Sequence, residues 1–391
     1  MTKKVGHEVE MEGQSLFGGD GRIFASMIGK AVQAALREEV DRYLGAGRYE
    51  RSEGRRGWRN GTKPRTLKTR VGEVNLDVPQ VRESGFRTTL FERYQRSERA
   101  MVSAMQEMVV KGVSTRDVSA VLEELAGFEV SAATVSRAMA DLDMEISAFF
   151  GRRLDDCAYP FVVIDARYEK VRTGPSPGRV TSQAVLVVAG INDQGRREVL
   201  ALATGDSESA DNWGEIFRSL KARGLHGVEM VVSDAHGGIR AALAKHFQGV
   251  AWQRCRVHLM RELMKKVSWS DMNELKRDLR SIYASEDRAR CQQVAEEVAE
   301  KWHKRAPSMV RALREGVDDT LTVLSLAPRL VRRLHSTNML ERVMQEIKRR
   351  TIKVRIFPNS AACFRLVGAI LMEIDEKWMD EIRYLNLDHR N

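Results

Sequence analysis

Two apolar runs in this chain end on an aspartate: YPFVVID closes at Asp165 and VEMVVSD at Asp234. Runs this short and this rich in valine and isoleucine read as buried strands rather than helices. In an open α/β sheet the strand ends face a crevice where ligands bind, so two such acids are expected at one edge of one sheet. A buried carboxylate without a partner is costly, which favours an exposed or metal-bound role. Between them lie SQAVLVVAGIND (182–193) and EVLALATGD (198–206), joined through Asp193-Gln194-Gly195 and close enough to form an antiparallel meander. Helical periodicity follows at 212–223 and 239–247, and GVAWQRC, ending at Cys255, reads as a fifth strand. The fold class is therefore α/β, with a mixed sheet of the α+β kind. From His258 to about Leu334 only helical patterns appear, then a helix at 338–350, a turn at Phe357-Pro358-Asn359, and a last helix over 361–385.

Holding two divalent cations asks for a third carboxylate. The stretch STNMLERVMQEIKRRTIKVRIFPN offers Glu341 and Glu346. Five residues apart on a helix, they are turned by about 500° and face different directions, so only one can point at the sheet. Lys348, Arg349, Arg350, Lys353 and Arg355 crowd the same segment, a setting in which metal ions and phosphates can converge.

The rest of the chain points to a polyanion. At 391 residues it has room for two or three units. Lys and Arg number 64 against 54 Asp and Glu, a net charge of +10, which favours nucleic acid as partner. A helix is expected over 23–44, with Met27, Ala31, Ala34 and Ala35 along one side, stopped by Gly45 and Gly47. The following segment, 48–70, carries nine basic residues against two acids, among them Arg55, Arg56, Arg59, Lys63 and Arg65. Gly54, Gly57, Gly61 and Pro64 break any helix there, so it reads as an arm lying along phosphates or entering a minor groove, followed by a short strand at 71–78. Further on, Ser114 with Asp117 marks a helix start, and Ser131 caps a second helix after Gly127. Val135, Met139 and Leu142 turn inward while Thr134, Ser136 and Arg137 stay exposed near the second helix's start, which describes a helix-turn-helix.

No apolar run reaches membrane-span length, and the opening MTKKVGHEVEMEGQ has no apolar core, so neither a membrane nor a secretory signal is expected. Four scattered cysteines fit a reducing cytoplasm. Cys255 and His258 form half of a zinc pattern with no second close pair, so zinc is not expected. Trp269 and Trp302 read as core residues, and His236 either touches substrate or sits on the surface.

Taken in order, these blocks carry a resemblance. YERSEGRRGWRNGTKPRTLKTRVGEVNLDVP, KGVSTRDVSAVLEEL with VSAATVSR, VVIDARYEKVR, VVSDAHGGIRAAL, WQRCRVH and NMLERVMQEIKRRT with FPN together resemble bacterial insertion-sequence transposases of the Mutator type. The resemblance implies a DDE enzyme with an RNase H-like core and assigns the acids as Asp165, Asp234 and Glu341, preferring Glu341 over Glu346. It implies a DNA-binding region at 1–100, the helix-turn-helix at 101–152, a core split into 153–257 and 336–391, and an all-helical insertion at 258–335. It marks Cys255 and His258 as a signature without giving their role. Gln80, Glu262 and Met344 depart from the family's usual residues. The implied partners are DNA, as terminal inverted repeats and target, and a second copy of the chain in a homodimer or larger synaptic assembly. Arg55, Arg56, Arg59, Lys63, Arg65, Thr134, Ser136, Arg137, Lys348, Arg349 and Arg350 are the expected DNA contacts. The expected cofactor is Mg²⁺ (or Mn²⁺), two ions per site, and three clustered anions without metal should repel and leave the site weakly organised. A structure-specific nuclease on the same core and a catalytically silent DNA binder are the alternatives.

Overall fold

The computed structural model describes residues 21–47, 50, 54–69, 72–82, 86–90, 99–126, 130–174 and 178–387. The chain divides into two compact units between Met139 and Ala140. The first twenty residues, Arg48, Arg51, Arg70 and Gly127 lie outside the described residues.

The first unit begins with α1 (Gly21–Leu44), followed by β1 (Trp58–Thr69) and β2 (Gly72–Arg82). The buried stripe of α1 is Leu36, Val40 and Leu44, not the Met27 and alanine side expected from sequence; Met27 is exposed. Larger side chains four apart bury more apolar surface than alanines, and Leu36 packs on Val74 and Leu76 of β2. The expected arm is also corrected. Most of it is a strand of an antiparallel hairpin, with Arg65 opposite Leu76. Gly61 sits in a bulge with φ +75°, and Pro64 is tolerated because a two-stranded ribbon leaves edge positions unpaired. Three helices follow: α2 (Arg99–Val110), α3 (Thr115–Ala126) and α4 (Ala132–Ala140). Ser114 Oγ accepts from Asp117 N (3.2 Å) and Ser131 Oγ from Thr134 N (3.2 Å), so both expected caps are made. The helix expected to run past Leu142 instead breaks at Asp141.

In the second unit, α5 (Leu142–Gly151) precedes a five-stranded sheet. Its strands are β3 (Phe161–Thr173), β4 (Arg179–Ile191), β5 (Arg197–Gly205), β6 (Met230–Ser233) and β7 (Ala251–Arg254), in the order β5-β4-β3-β6-β7. β3, β4 and β5 form the expected meander, while β3, β6 and β7 run parallel, so the sheet is mixed. Helices α6 (Ala210–Ala222) and α7 (Gly237–His246) cover one face, where Val162, Ile164, Leu186 and Val231 pack against Trp213, Phe217 and Ile239. On the other side, α13 (Asn338–Thr351) packs on β3 and α14 (Ser360–Asp380) on β3 and β5.

Between sheet and C-terminal helices come α8 (Arg256–Met264), α9 (Met272–Ile282), α10 (Arg288–Trp302), α11 (Pro307–Gly316) and α12 (Pro328–Leu334). The first four share an apolar core of their own, with Leu259, Leu263, Leu279, Trp302 and Met309 buried. Trp302 is core as expected. Trp269 is not: it is 88% exposed, on a single 3₁₀ turn before α9 too short to give it a packing partner.

Candidate active site

The register of the parallel strands places the two aspartates. Val163 of β3 is the last residue to pair with β6, opposite Val232, and Asp165 and Asp234 each follow two residues beyond that pair, on the same face by alternation. Asp234 ends its strand as expected. Asp165 does not: β3 runs on to Thr173, paired with β4 as a hairpin that extends past the parallel strands. Alternation along β3 sends Ile164 into the α6–α7 core and turns Asp165 to the face on which α13 packs. There Asp165 is 8% exposed. Burial pushes its carboxyl up to about 7, with the charges of Asp234 and Glu341 adding to the rise, and the His258 charge and the Ala166 N–H (3.0 Å) opposing it.

Glu341 lies in the first turn of α13 and is largely buried. Both its oxygens are taken: Arg261 donates to Oε1 at 2.6 Å and to Oε2 at 3.2 Å, and His258 Nε2 lies 3.4 Å from Oε1. Among the described residues no three His, Cys, Asp or Glu side chains are grouped closely enough to hold a metal ion. Asp165 thus lies within reach of the charges of Asp234 and Glu341, while Glu341 is held by the side chains of Arg261 and His258. A buried carboxyl raised to about 7 by burial and further by two neighbouring anions is a group that a divalent cation fits, since the cation favours its charged form.

Glu346 faces elsewhere. It bonds Arg349 and Arg350, and Arg349 foremost holds its pKa down at about 2. Arg350, expected on DNA, is buried and bound to Glu346 and Glu373, so its charge is already matched. Lys348 and Arg349 are exposed. Arg59 is likewise spent inside the fold, on Asp41 and the carbonyls of Gly47 and Ala46, and Arg55 on the carbonyls of Gly57 and Glu50. Arg56, Lys63, Ser136 and Arg137 are exposed, while Arg65 and Thr134 are half-buried.

Sequence reasoning missed Glu208, on the loop between β5 and α6. It is 8% exposed, and burial, then the charge of Asp234, raises its pKa against the opposing influence of His236, Tyr168 and His258. The approach depends on Gly238 at the start of α7, where a Cβ would stand 2.0 Å from the Glu208 carbonyl. His236 is exposed and caps α7, its Nδ1 accepting from Gly238 N (3.4 Å). Cys255 is fully buried. Burial alone would raise its thiol; His258 and Thr337 beside it bring the net shift downward, and in turn Cys255 pulls His258 up to about 9.

The chain belongs to the family described as Transposase, Mutator family, which it matches over residues 2–381. It is similar to the transposase of insertion sequence element ISRM5 from Rhizobium meliloti, 43% identical across 93% of this chain and 90% of that one. The transposase of IS406 from Burkholderia multivorans is 39% identical, covering 91% and 92%. That of IS256 in transposon Tn4001 from Staphylococcus aureus is 36% identical, covering 88% of each. Among solved structures, a Mos1 transposase paired-end complex matches 58% of this chain and 82% of its own at 12% identity and a TM-score of 0.17, too distant to add to the fold.

Proposed function

We propose that this transposase cuts and joins DNA strands at the ends of an insertion sequence, with Asp165, Asp234 and Glu341 as its catalytic carboxylates. One observation carries the reading: two acids each two residues beyond the last pair of adjacent parallel strands, with the charge of a third, on a helix packed on the same strand, reaching Asp165. The strand order β5-β4-β3-β6-β7, with three antiparallel strands followed by two parallel ones, supports an RNase H-like core. The capped pair α3 and α4, with Ser136 and Arg137 exposed, supports a helix-turn-helix.

The three carboxylates would hold two Mg²⁺ or Mn²⁺ ions, which when bound lower the pKa of an attacking hydroxyl and stabilise the leaving 3′-oxygen. In cleavage, the oxygen of water bonds to phosphorus and the bond to the 3′-oxygen breaks, leaving a 3′-hydroxyl and a 5′-phosphate. In joining, that 3′-hydroxyl attacks a target phosphodiester and a target 3′-hydroxyl leaves, so one ester is exchanged for another and no covalent protein intermediate is needed. The chain's own contribution is placement: the sheet fixes Asp165 and Asp234, and α13 delivers Glu341. DNA, as terminal repeats and target, and a second copy of the chain for synapsis are the partners.

The test uses end-containing DNA, intact for cleavage and pre-cut for joining, with Mg²⁺. Wild-type protein joins a pre-cut 3′ end to target; Asp165→Asn, Asp234→Asn and Glu341→Gln each bind ends but neither cut nor join. Cleavage confined to branched DNA, without joining, identifies a nuclease. End binding with no metal-dependent reaction identifies a silent binder.

A further inference from the structure

The signature Cys255-x-x-His258 has no part in the chemistry so far, yet it joins the elements that carry the acids. Cys255 stands at the start of α8, directly after β7. Its N–H donates to the carbonyl of Ser233 (2.7 Å), the residue before Asp234. Its sulfur accepts from the N–H of Thr337 (3.3 Å) and lies 3.5 Å from that residue's hydroxyl, at the start of α13 and one turn before Glu341. A fully buried residue thus ties the strand end of the second acid to the helix start of the third. Arg256 N reinforces the seam by donating to the carbonyl of His335 (3.0 Å).

The next residues along the same helix finish the job. Positions three apart on a helix are neighbours, so Cys255, His258 and Arg261 follow one another along the side of α8 that meets α13. His258 lies 3.4 Å from Glu341 Oε1, and Arg261 grips both carboxylate oxygens in a fork. The two differ in freedom. The His258 side chain is mostly buried, whereas that of Arg261 is half exposed, on a long stem that can swing into solvent. Arg261 donates to both Glu341 oxygens, so a cation shared with Asp165 and Asp234 competes with it for the same carboxylate.

We propose that this face of α8 sets the place of Glu341: Cys255 and His258 hold its helix and side chain at the site, and Arg261 stands in for a divalent cation and yields to it. The arrangement gives the cysteine–histidine pair a positioning role without zinc. It rests on the proposed carboxylate site.

The experiment measures Mn²⁺ binding to the full-length protein without DNA, by calorimetry or by loss of the free-ion paramagnetic signal. Removing a competing bidentate cation should tighten binding, so Arg261→Gln is expected to lower the Mn²⁺ Kd about tenfold or more, with Arg261→Lys in between. Cys255→Ala should weaken Mn²⁺ binding and slow joining of a pre-cut end at unchanged KM for that end. Cys255→Ser, which keeps an acceptor for Thr337 N, should recover most of both. Unchanged or weaker Mn²⁺ binding by Arg261→Gln overturns the placeholder role. Wild-type binding and joining by Cys255→Ala overturns the positioning role. Failure of the wild-type protein itself to bind Mn²⁺ tells instead against the carboxylate site.

Discussion

Asp165→Asn should make the metal-free protein more stable, and only at neutral to alkaline pH. The carboxyl ionises near 7 in the fold against an ordinary 3.8. Below about pH 3 it is protonated whether folded or unfolded, and burial costs nothing extra. As pH rises from 4 through 7 the unfolded chain ionises freely while the folded one resists, so stability is lost across that window. Above pH 8 the loss reaches about 4 kcal/mol. Asparagine has nearly the same shape, carries no charge and keeps an oxygen to accept the Ala166 N–H. The variant should therefore melt about 10 °C above wild type at pH 8, at the usual few degrees per kcal/mol for a unit this size, and together with it at about pH 3. Scanning calorimetry across that pH range, with and without Mg²⁺, is the assay; Mg²⁺ should raise wild type toward the variant and leave the variant unmoved. Equal melting at pH 8, or a less stable variant, would refute the claim that Asp165 is held against its own and its neighbours' charge.

Other consequences are as direct. Glu208→Gln removes a carboxyl whose ionisation is opposed by burial and then by the Asp234 charge, and should raise the melting temperature of the metal-free protein at neutral pH but not at acid pH; equal melting at pH 7 would separate Glu208 from the site. Replacing exposed Arg56 and Lys63 with alanine should reduce the salt dependence of end binding by about one unit of log–log slope per lost phosphate contact. Arg59→Ala, which breaks the bond to Asp41, should instead lower the melting temperature of the first unit, and an altered salt slope with unchanged melting would reverse that assignment. Gly195→Ala combines a φ of +75° with a Cβ 1.9 Å from the Leu385 carbonyl, and should cost about 2 kcal/mol or more. Gly249→Ala, at φ +81° with open space around it, should cost only about 1 kcal/mol, and equal effects would remove the contact with Leu385 from the account.

The two aspartates were legible because buried strands announce themselves as unbroken apolar runs, and the residue that ends such a run stands out. What lay beyond Asp165 was not legible: after Ala166 the segment turns polar, with Arg167, Glu169, Lys170 and Arg172, and its strand is made by pairing with 179–186. Glu341 and Glu346 could not be told apart by helix geometry, since the choice depends on how α13 docks. The resemblance preferred Glu341, and docking gives that residue to Arg261 and His258 and Glu346 to Arg349 and Arg350. Glu208 left no signal at all, because it reaches the site through a loop contact at Gly238 that no periodicity encodes. In the first unit, Gly61 and Pro64 read as breakers although a bulged ribbon accommodates both.

The most direct test of the central claim is a structure of the protein on its end DNA with Mn²⁺, read for the ligands of the ion by its anomalous signal. Manganese is expected between Asp165 and Asp234, with Glu341 turned from Arg261 onto the metal. Manganese bound away from these aspartates, or Glu341 still gripped by Arg261 while a scissile phosphate occupies the site, would contradict it.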